Sequence, residues 1–135
     1  MVRRFTSAGA WLVSFSWALL SAVAAQAQTY PDHPVHVLVG FGAGSGPDIQ
    51  ARTVSHAMGA ALGQAFIVEN RPGANGTRAA RAVTQAEPDG YPLLFSSSSI
   101  APTPYIYKSL GYNLLTDLKP IATIGQLDGD RKSVV

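Results

Sequence analysis

Residues 35–52 decide the fold, and they read VHVLVGFGAGSGPDIQAR. A β-branched run from Val35 to Phe41 predicts a strand, which passes into alternating glycines at positions 40, 42, 44 and 46. A segment with helical spacing, residues 48–62, follows at once. A strand that turns through glycines into a helix start directs free backbone N–H groups at one point, where the helix dipole is positive. The stretch therefore predicts a site for an anion such as a carboxylate or a phosphate.

The N-terminus has the pattern of a secretory signal peptide over residues 1–27. Arg3 and Arg4 give a positive start, residues 8–25 are largely apolar, and a small-x-small cleavage pattern ends at Ala27. An uncleaved membrane anchor is the alternative, but the apolar run is barely long enough to span a bilayer and contains three serines. We therefore expect export and cleavage after Ala27.

Composition narrows the compartment and the partners. The chain of 135 residues has ten Lys and Arg against eight Asp and Glu, and loss of the two leader arginines would leave a balanced mature part. No basic stripe with interleaved aromatics is present, so nucleic acid is not an expected partner. Cysteine is absent, which excludes disulfides and thiolate metal sites and favours a bacterial periplasm over a disulfide-rich extracellular domain. About a hundred mature residues suffice for one small domain.

The rest of the mature chain alternates predicted strands and helices. In order come a strand at 65–69, a helix at 78–86 that Thr77 can cap, a strand at 93–95, a short helix near 105–110 and a strand at 121–124. This alternation predicts an α/β fold with a mostly parallel sheet and flanking helices. Ligands bind such sheets beyond the carboxyl ends of the strands, so we expect the loops 42–48, 72–77 and 96–100 to converge there.

The first helix has recognisable ends and a predicted buried face. Pro47 suits its start, and Gly63 suits the position just past its end. Helical spacing predicts that its apolar residues face the sheet together: Val54, Ala57, Met58, Ala61 and Leu62.

The glycine loop also admits other interpretations. A dinucleotide fingerprint fails because its last glycine position is Ser45 or Pro47, although Glu69 imitates the acid that binds a ribose. A P-loop would need Gly-Lys-Ser/Thr, and a nucleophile elbow would need glycines on both sides of Ser45. Three alternatives therefore stay open: an exported α/β enzyme using Ser45 or Asp48, a nucleotide-binding domain using Glu69, and a glycine turn without a ligand.

The titratable residues favour a binding protein over an enzyme. Asp48, in the first helical turn, either pairs with nearby N–H groups or contacts a ligand, and the sequence does not separate the two. His33 and His36 are three residues apart in a proline-flanked, extended segment, which disfavours a metal site, and His56 is expected on the solvent side of its helix. No carboxylate pair, Ser–His pair or metal cluster emerges, so we expect no catalysis, no metal and no cofactor.

Several spaced motifs resemble the Bug family of periplasmic solute receptors, the extracytoplasmic receptors of tripartite tricarboxylate transporters. They are Tyr30-Pro31, Phe41-x-x-Gly44-x-x-x-Asp48-Ile49-x-Ala51-Arg52, Leu62-Gly63-Gln64, Val68-Glu69-Asn70-Arg71-Pro72-Gly73-Ala74-x-Gly76 and Pro88-Asp89-Gly90-Tyr91. The resemblance covers about residues 30–127. The Glu-Asn-Arg-Pro-Gly-Ala run is specific because of its distances from Asp48 and from Pro-Asp-Gly-Tyr.

The resemblance implies a two-lobed α/β clamshell that closes on a small carboxylate. Residues 28–127 correspond to an incomplete first lobe, and residues 128–135 resemble nothing in the family, which suggests a truncation or a frameshift. In the family, backbone amides and ordered waters of the first lobe hold a carboxyl group. Carried onto this chain, the ligand-binding residues are Phe41, Gly42, Ala43, Gly44, Ser45, Gly46, Asp48, Gly73, Ala74, Gly76, Thr77, Ser97, Ser98 and Ala101.

The resemblance also implies the partners. They are a di- or tricarboxylate or a related acid and, for an intact receptor, the membrane components of the transporter. We expect a periplasmic monomer. Without the second lobe the clamshell cannot close, so we expect impaired binding and low stability.

Overall fold

The computed structural model describes residues 30–125, so the predicted leader and the tail 128–135 lie outside the described residues. The elements below belong to one compact unit that begins at His33. Its strands are β1 (Val35–Val39), β2 (Phe66–Asn70) and β3 (Pro92–Phe95), and its helices are α1 (Gly46–Leu62), α2 (Thr77–Thr84) and α3 (Thr103–Ile106). Two 3-10 turns, Ala74–Gly76 and Ser98–Ile100, precede α2 and α3.

The three strands form one parallel sheet in the order β2-β1-β3. β1 lies in the centre, where Val37 pairs with Val68 on one side and Leu93 on the other. The connection through α1 leads from β1 to β2 on one side, and the connection through α2 then crosses β1 to reach β3 on the other side. Because such crossovers are right-handed, α1 and α2 are expected on opposite faces of the sheet. α1 contacts β1 and β2, whereas α2 contacts β1 and β3. The predicted α/β fold with a parallel sheet and flanking helices is thereby confirmed.

Burial of β1 on both faces follows from this layering. Val37 and Leu38 point to opposite faces because side chains alternate along a strand, and each is only 6% exposed.

Within residues 30–125, no helix is long and apolar enough to cross a bilayer.

α1 begins at Gly46, two residues before its predicted start, and ends as predicted at Gly63, whose φ is +72°. The predicted buried face is wrong. Val54 and Met58 are half-buried, Ala57, Ala61 and Leu62 are exposed, and the buried residues are Asp48, Ala51 and Ser55. Their spacing is also helical, and their side chains are short, so the helix lies close to the sheet along this stripe. His56 is exposed, as predicted.

The later elements differ more from their predicted bounds. α2 is shorter than predicted, and Thr77 is not its cap, because Gly76, with φ +86°, takes that position and Thr77 is buried inside the helix. α3 precedes the helix predicted near 105–110, since Pro104 fits a first turn and Tyr107 is already extended. Residues 121–124 form no strand, and Ile121 is 81% exposed. A short apolar run favours extended backbone, but a strand also needs a partner.

The backbone after β1 lies very close to the turn that follows β2. A Cβ atom added to Gly40 would lie 2.6 Å from the Cα of Gly76, a distance that real Cβ contacts do not reach. The absence of side chains at both positions therefore lets two backbone segments touch at the carboxyl edge of the sheet.

We expect Gly40→Ala to destabilise the chain by about 1–3 kcal/mol, because backbone atoms would have to move apart. Gly42→Ala is the matched control: an added Cβ meets nothing within 4 Å there, and the φ of Gly42 is not positive. The control should stay within about 0.5 kcal/mol of the parent. Urea unfolding of the three proteins measures both effects, and equal midpoints for the two variants would contradict the close approach.

Candidate functional site

The loops that follow the three strands meet at Gly76. A Cβ atom added to this residue would lie 3.7 Å from the Cα of Gly40, after β1, and 3.8 Å from the Oγ of Ser96, after β3. The turn Ala74–Gly76 also contacts the turn Ser98–Ile100. The structure thus brings the three loops together at the carboxyl edge, where parallel α/β sheets bind ligands.

The glycine loop uses part of its own hydrogen-bonding capacity. The Gly44 amide donates to Oδ2 of Asp48 at 2.8 Å, and the Ser45 amide donates to the Gly42 carbonyl at 3.2 Å. The Ser45 hydroxyl donates to the same carbonyl at 2.7 Å. Within residues 30–125, the amides of Gly42, Ala43 and Gly46 have no acceptor. These three amides, rather than the whole loop, are free to meet an anion.

Asp48 lies beneath this loop and is only 2% exposed. Its Oδ2 accepts from Gly44 and, at 3.1 Å, from Nε of Arg52, while its Oδ1 accepts from Nδ2 of Asn70 at 2.7 Å. The hydrogen bond from Arg52, then those from Gly44 and Asn70, lower the pKa of Asp48 from 3.8 to about 2. Of the two interpretations of Asp48, the geometry supports a partner for nearby donors.

Asn70 was not predicted as a site residue, although its side chain connects Asp48, Arg52 and the start of the glycine loop. Its Nδ2 donates to Asp48 and, at 3.1 Å, to the Phe41 carbonyl, and its Oδ1 accepts from Nη2 of Arg52 at 3.0 Å. It is the last residue of β2, whereas the predicted strand ended one residue earlier. A polar residue at the carboxyl end of a parallel strand was the available signal.

The second loop turns through left-handed backbone. Asn75 (φ 55°, ψ 35°) and Gly76 (φ 86°, ψ 0°) form a type I′ turn, closed by the Thr77 amide donating to the Ala74 carbonyl. Asn-Gly is the pair this turn prefers. Of the predicted site residues here, Gly73 and Ala74 are exposed, whereas Gly76 and Thr77 are buried below the surface.

The third loop contributes hydroxyls that are partly used within the protein. The Ser97 Oγ accepts from the Ser99 amide at 3.3 Å and lies 2.8 Å from the Ser99 Oγ. Ser97 is half-buried, while Ser98 and Ala101 are exposed. The predicted site residues that are exposed to solvent in the second and third loops are therefore Gly73, Ala74, Ser98 and Ala101.

Glu69 is engaged on the surface of the sheet. Its Oε1 lies 2.6 Å from Nδ1 of His36, and its Oε2 accepts from Nη2 of Arg71 at 3.1 Å. The hydrogen bond to His36, then that to Arg71, lower the pKa of Glu69. The nucleotide-binding alternative needs this carboxylate for a ribose, and here two cationic or potentially cationic partners occupy it.

The remaining alternatives gain no support from the geometry. The Ser45 hydroxyl donates to a carbonyl instead of a base. In the part of the chain that the structure describes, no three His, Cys, Asp or Glu residues are grouped to hold a metal ion. The features that remain are backbone amides at a helix start, which suit an anion.

A parallel α/β sheet with three loops gathered at its carboxyl edge, and free amides in one of them, has the form of a ligand-binding lobe. Residues 50–128 match the family model of the tripartite tricarboxylate transporter family receptor, TctC. The chain belongs to this family.

Individual relatives agree with this assignment. A UPF0065 protein of Bordetella bronchiseptica is 51% identical over 106 residues, which cover 78% of this chain and 32% of the relative. The protein BugT of Bordetella pertussis is 36% identical over 108 residues, covering 78% and 33%. The chain therefore spans about a third of the length of these curated relatives.

Two solved structures are similar as well. The R. palustris protein Rpa4515, solved with adipate, gives a TM-score of 0.55 at 28% identity and covers 62% of this chain and 28% of that chain. The periplasmic binding protein BugD gives a TM-score of 0.47 at 43% identity and covers 48% and 22%.

We expect the hydrogen bonds to Asp48 to make stability depend on acid. A carboxyl with a lowered folded-state pKa contributes stability above its unfolded value, near 3.8, and loses it as the pH falls through about 2. The difference in unfolding free energy between the parent and Asp48→Asn should therefore be constant from pH 7 to 5 and shrink between pH 4 and 2. Urea unfolding across this range measures it, and a constant difference down to pH 2 would contradict the assignment.

Proposed function

We propose that this chain contributes the first lobe of a periplasmic receptor that binds a small carboxylate solute. The observation that supports this most directly is the set of amides without an acceptor within residues 30–125, which are those of Gly42 and Ala43 in the glycine loop and that of Gly46 at the start of α1. Amides gathered at a helix N-terminus favour negative charge. Membership of the TctC receptor family makes a solute the expected occupant.

The electrostatics of the loop favour a carboxylate. Asp48 would repel an anion if its charge were unopposed, but Arg52 and two further donors surround it. The loop thus carries little net charge, and neutral amides supply its attraction. A singly charged carboxyl group suits such donors, whereas a multiply charged phosphate would favour additional cations. Rpa4515 was solved with adipate, so linear dicarboxylates are the first solutes to test.

Export and delivery to a transporter complete the proposal. The predicted signal peptide directs the chain to the periplasm, and BugD is described as a periplasmic binding protein. The partners would be the membrane components of a tripartite tricarboxylate-type transporter. The proposed role is binding, with no catalytic step.

We further propose that the lobe formed by residues 30–125 binds a solute weakly on its own. The matched region is about a third of the length of the relatives, so a solute held by these three loops alone would keep one side in water. Large apolar side chains are also left uncovered: Tyr105 is 93% exposed, Leu115 is 89% exposed and Ile121 is 81% exposed. Such exposure supports low stability for the lobe alone.

An amide-resolved titration tests the site. Adipate added to the ¹⁵N-labelled full chain should shift the amide signals of Gly42, Ala43 and Gly46 with a Kd on the order of 1 mM, about −4 kcal/mol. Hexane-1,6-diol, which has the same chain length without charge, is the control and should leave these signals in place. Shifts that do not saturate, or that the diol reproduces, would contradict a carboxylate site.

A chimera tests the role of the remaining receptor length. Residues 30–125 would replace the matching third of the Bordetella bronchiseptica relative, to which the chain is 51% identical. If the loops are competent, the chimera should bind adipate at least about tenfold more tightly than the chain alone, because the ligand becomes enclosed. A folded chimera that binds adipate no more tightly than the chain alone would contradict the proposal.

A further inference from the structure

We propose that Asn70 is a positioning residue that holds the glycine loop in its anion-accepting form. This inference rests on the proposed function, because it concerns the same free amides. Asn70 itself does not need to touch the solute. Its side chain instead connects the end of β2 with the entrance of the loop and with the acid beneath it.

The first argument is that side-chain packing does not fix the loop. Cβ atoms added to Gly42, Gly44 or Gly46 would meet nothing within 4 Å, so no neighbouring side chain holds these residues in place. Gly44 also has a φ of +79°, and glycine adopts positive and negative φ about equally well, so its own backbone preference does not fix this conformation. Hydrogen bonds are therefore the constraint on these glycines that the structure shows.

The second argument is where those hydrogen bonds converge. Asn70 holds the start of the loop by donating to the Phe41 carbonyl. It also orients Asp48 by donating to Oδ1 of that aspartate. Asp48 in turn accepts from the Gly44 amide in the middle of the loop. The hydrogen bonds that connect β2 with the centre of the loop thus pass through the carboxamide of Asn70. Its Nδ2 donates twice and its Oδ1 accepts once, so both polar atoms of the carboxamide are used.

The third argument is that Asn70 lies between two of the loops that line the site. It is the last residue of β2, and the next residue, Arg71, donates its amide to the Val39 carbonyl at 2.8 Å. Five residues further on, Gly76 contacts Gly40. Asn70 therefore holds the glycine loop through its side chain, while the backbone of the next residue holds the start of the second loop against β1.

Preorganisation gives this arrangement a functional consequence. Ordering one flexible residue costs about 1–2 kcal/mol, so a loop that must be ordered during binding loses affinity. With Asn70 in place, the amides of Gly42, Ala43 and Gly46 are already ordered when the solute arrives. Without Asn70, the loop keeps its amides but must be ordered when the solute binds.

The near-isosteric variant Asn70→Asp adds an electrostatic test. Its carboxyl group would take the place of a donor that lies 2.7 Å from Oδ1 of Asp48, and Arg52 is a cation in contact with both residues. Two acids so close do not both ionise readily, so one pKa rises. The two charged acids repel each other, and this repulsion weakens as the pH is lowered from 7 toward 5, because protonation of either acid restores one hydrogen bond.

The experiment titrates adipate into ¹⁵N-labelled full chains. It is run at a temperature at which urea titration has shown every variant to be folded. Asn70→Ala should bind at least tenfold more weakly than the parent at pH 7. Glu69→Gln is the matched control. Residue 69 lies next to Asn70 on β2, and the change removes the charge that faces His36 and Arg71 without touching the loop, so affinity should stay within twofold. Asn70→Asp should be as weak as Asn70→Ala at pH 7 and regain affinity at pH 5, relative to the parent at each pH.

Each outcome decides between the claims. Equal affinity of the parent and Asn70→Ala would overturn the positioning role and leave the carboxylate site intact. An equal loss in Glu69→Gln would also overturn it, because the effect would then follow general stability. A parent that shows no saturable shift with adipate would overturn the proposed function and this inference together. If Asn70→Ala does not fold, the pH dependence of Asn70→Asp decides, and its absence counts against the role.

Discussion

The buried carboxylate of Asp48 is the interaction on which the site depends. A charged group that is almost fully enclosed is tolerated only when donors surround it. Here the donors come from the glycine loop, from the next turn of α1 and from the end of β2: Gly44, Arg52 and Asn70. Because the acid needs all three, the strand, loop and helix are fixed relative to one another.

Glycine supplies the second constraint. The contact between Gly40 and Gly76 brings two strand-end loops within backbone distance, and the open space around Gly42 and Gly46 leaves their amides accessible. Under the proposed function, attraction for an anion arises from dipoles of the main chain, with the charged side chains used for support.

The order of the helices and strands was predictable from the sequence. Which face of a helix is buried, and which segments pair as strands, was less predictable. The run from Val35 through the glycines predicted β1, the loop and α1 to within two residues. The predicted buried face of α1 was wrong. Ala51 and Ser55 are short enough to approach the sheet, whereas larger apolar residues such as Leu62 remain outside. The strand predicted at 121–124 failed because pairing is a property of neighbours that a local apolar run does not specify.

The sequence by itself determined the fold class and the family, and it predicted which three loops meet at the carboxyl edge, because periodicity, glycine spacing and the Glu-Asn-Arg-Pro-Gly-Ala run are local signals. Tertiary structure alone decided which amides stay free and which side chains hold them. Asn70 lies 22 residues from Asp48 and 29 from Phe41, so their hydrogen bonds exist only after parallel pairing brings the end of β2 beside the glycine loop.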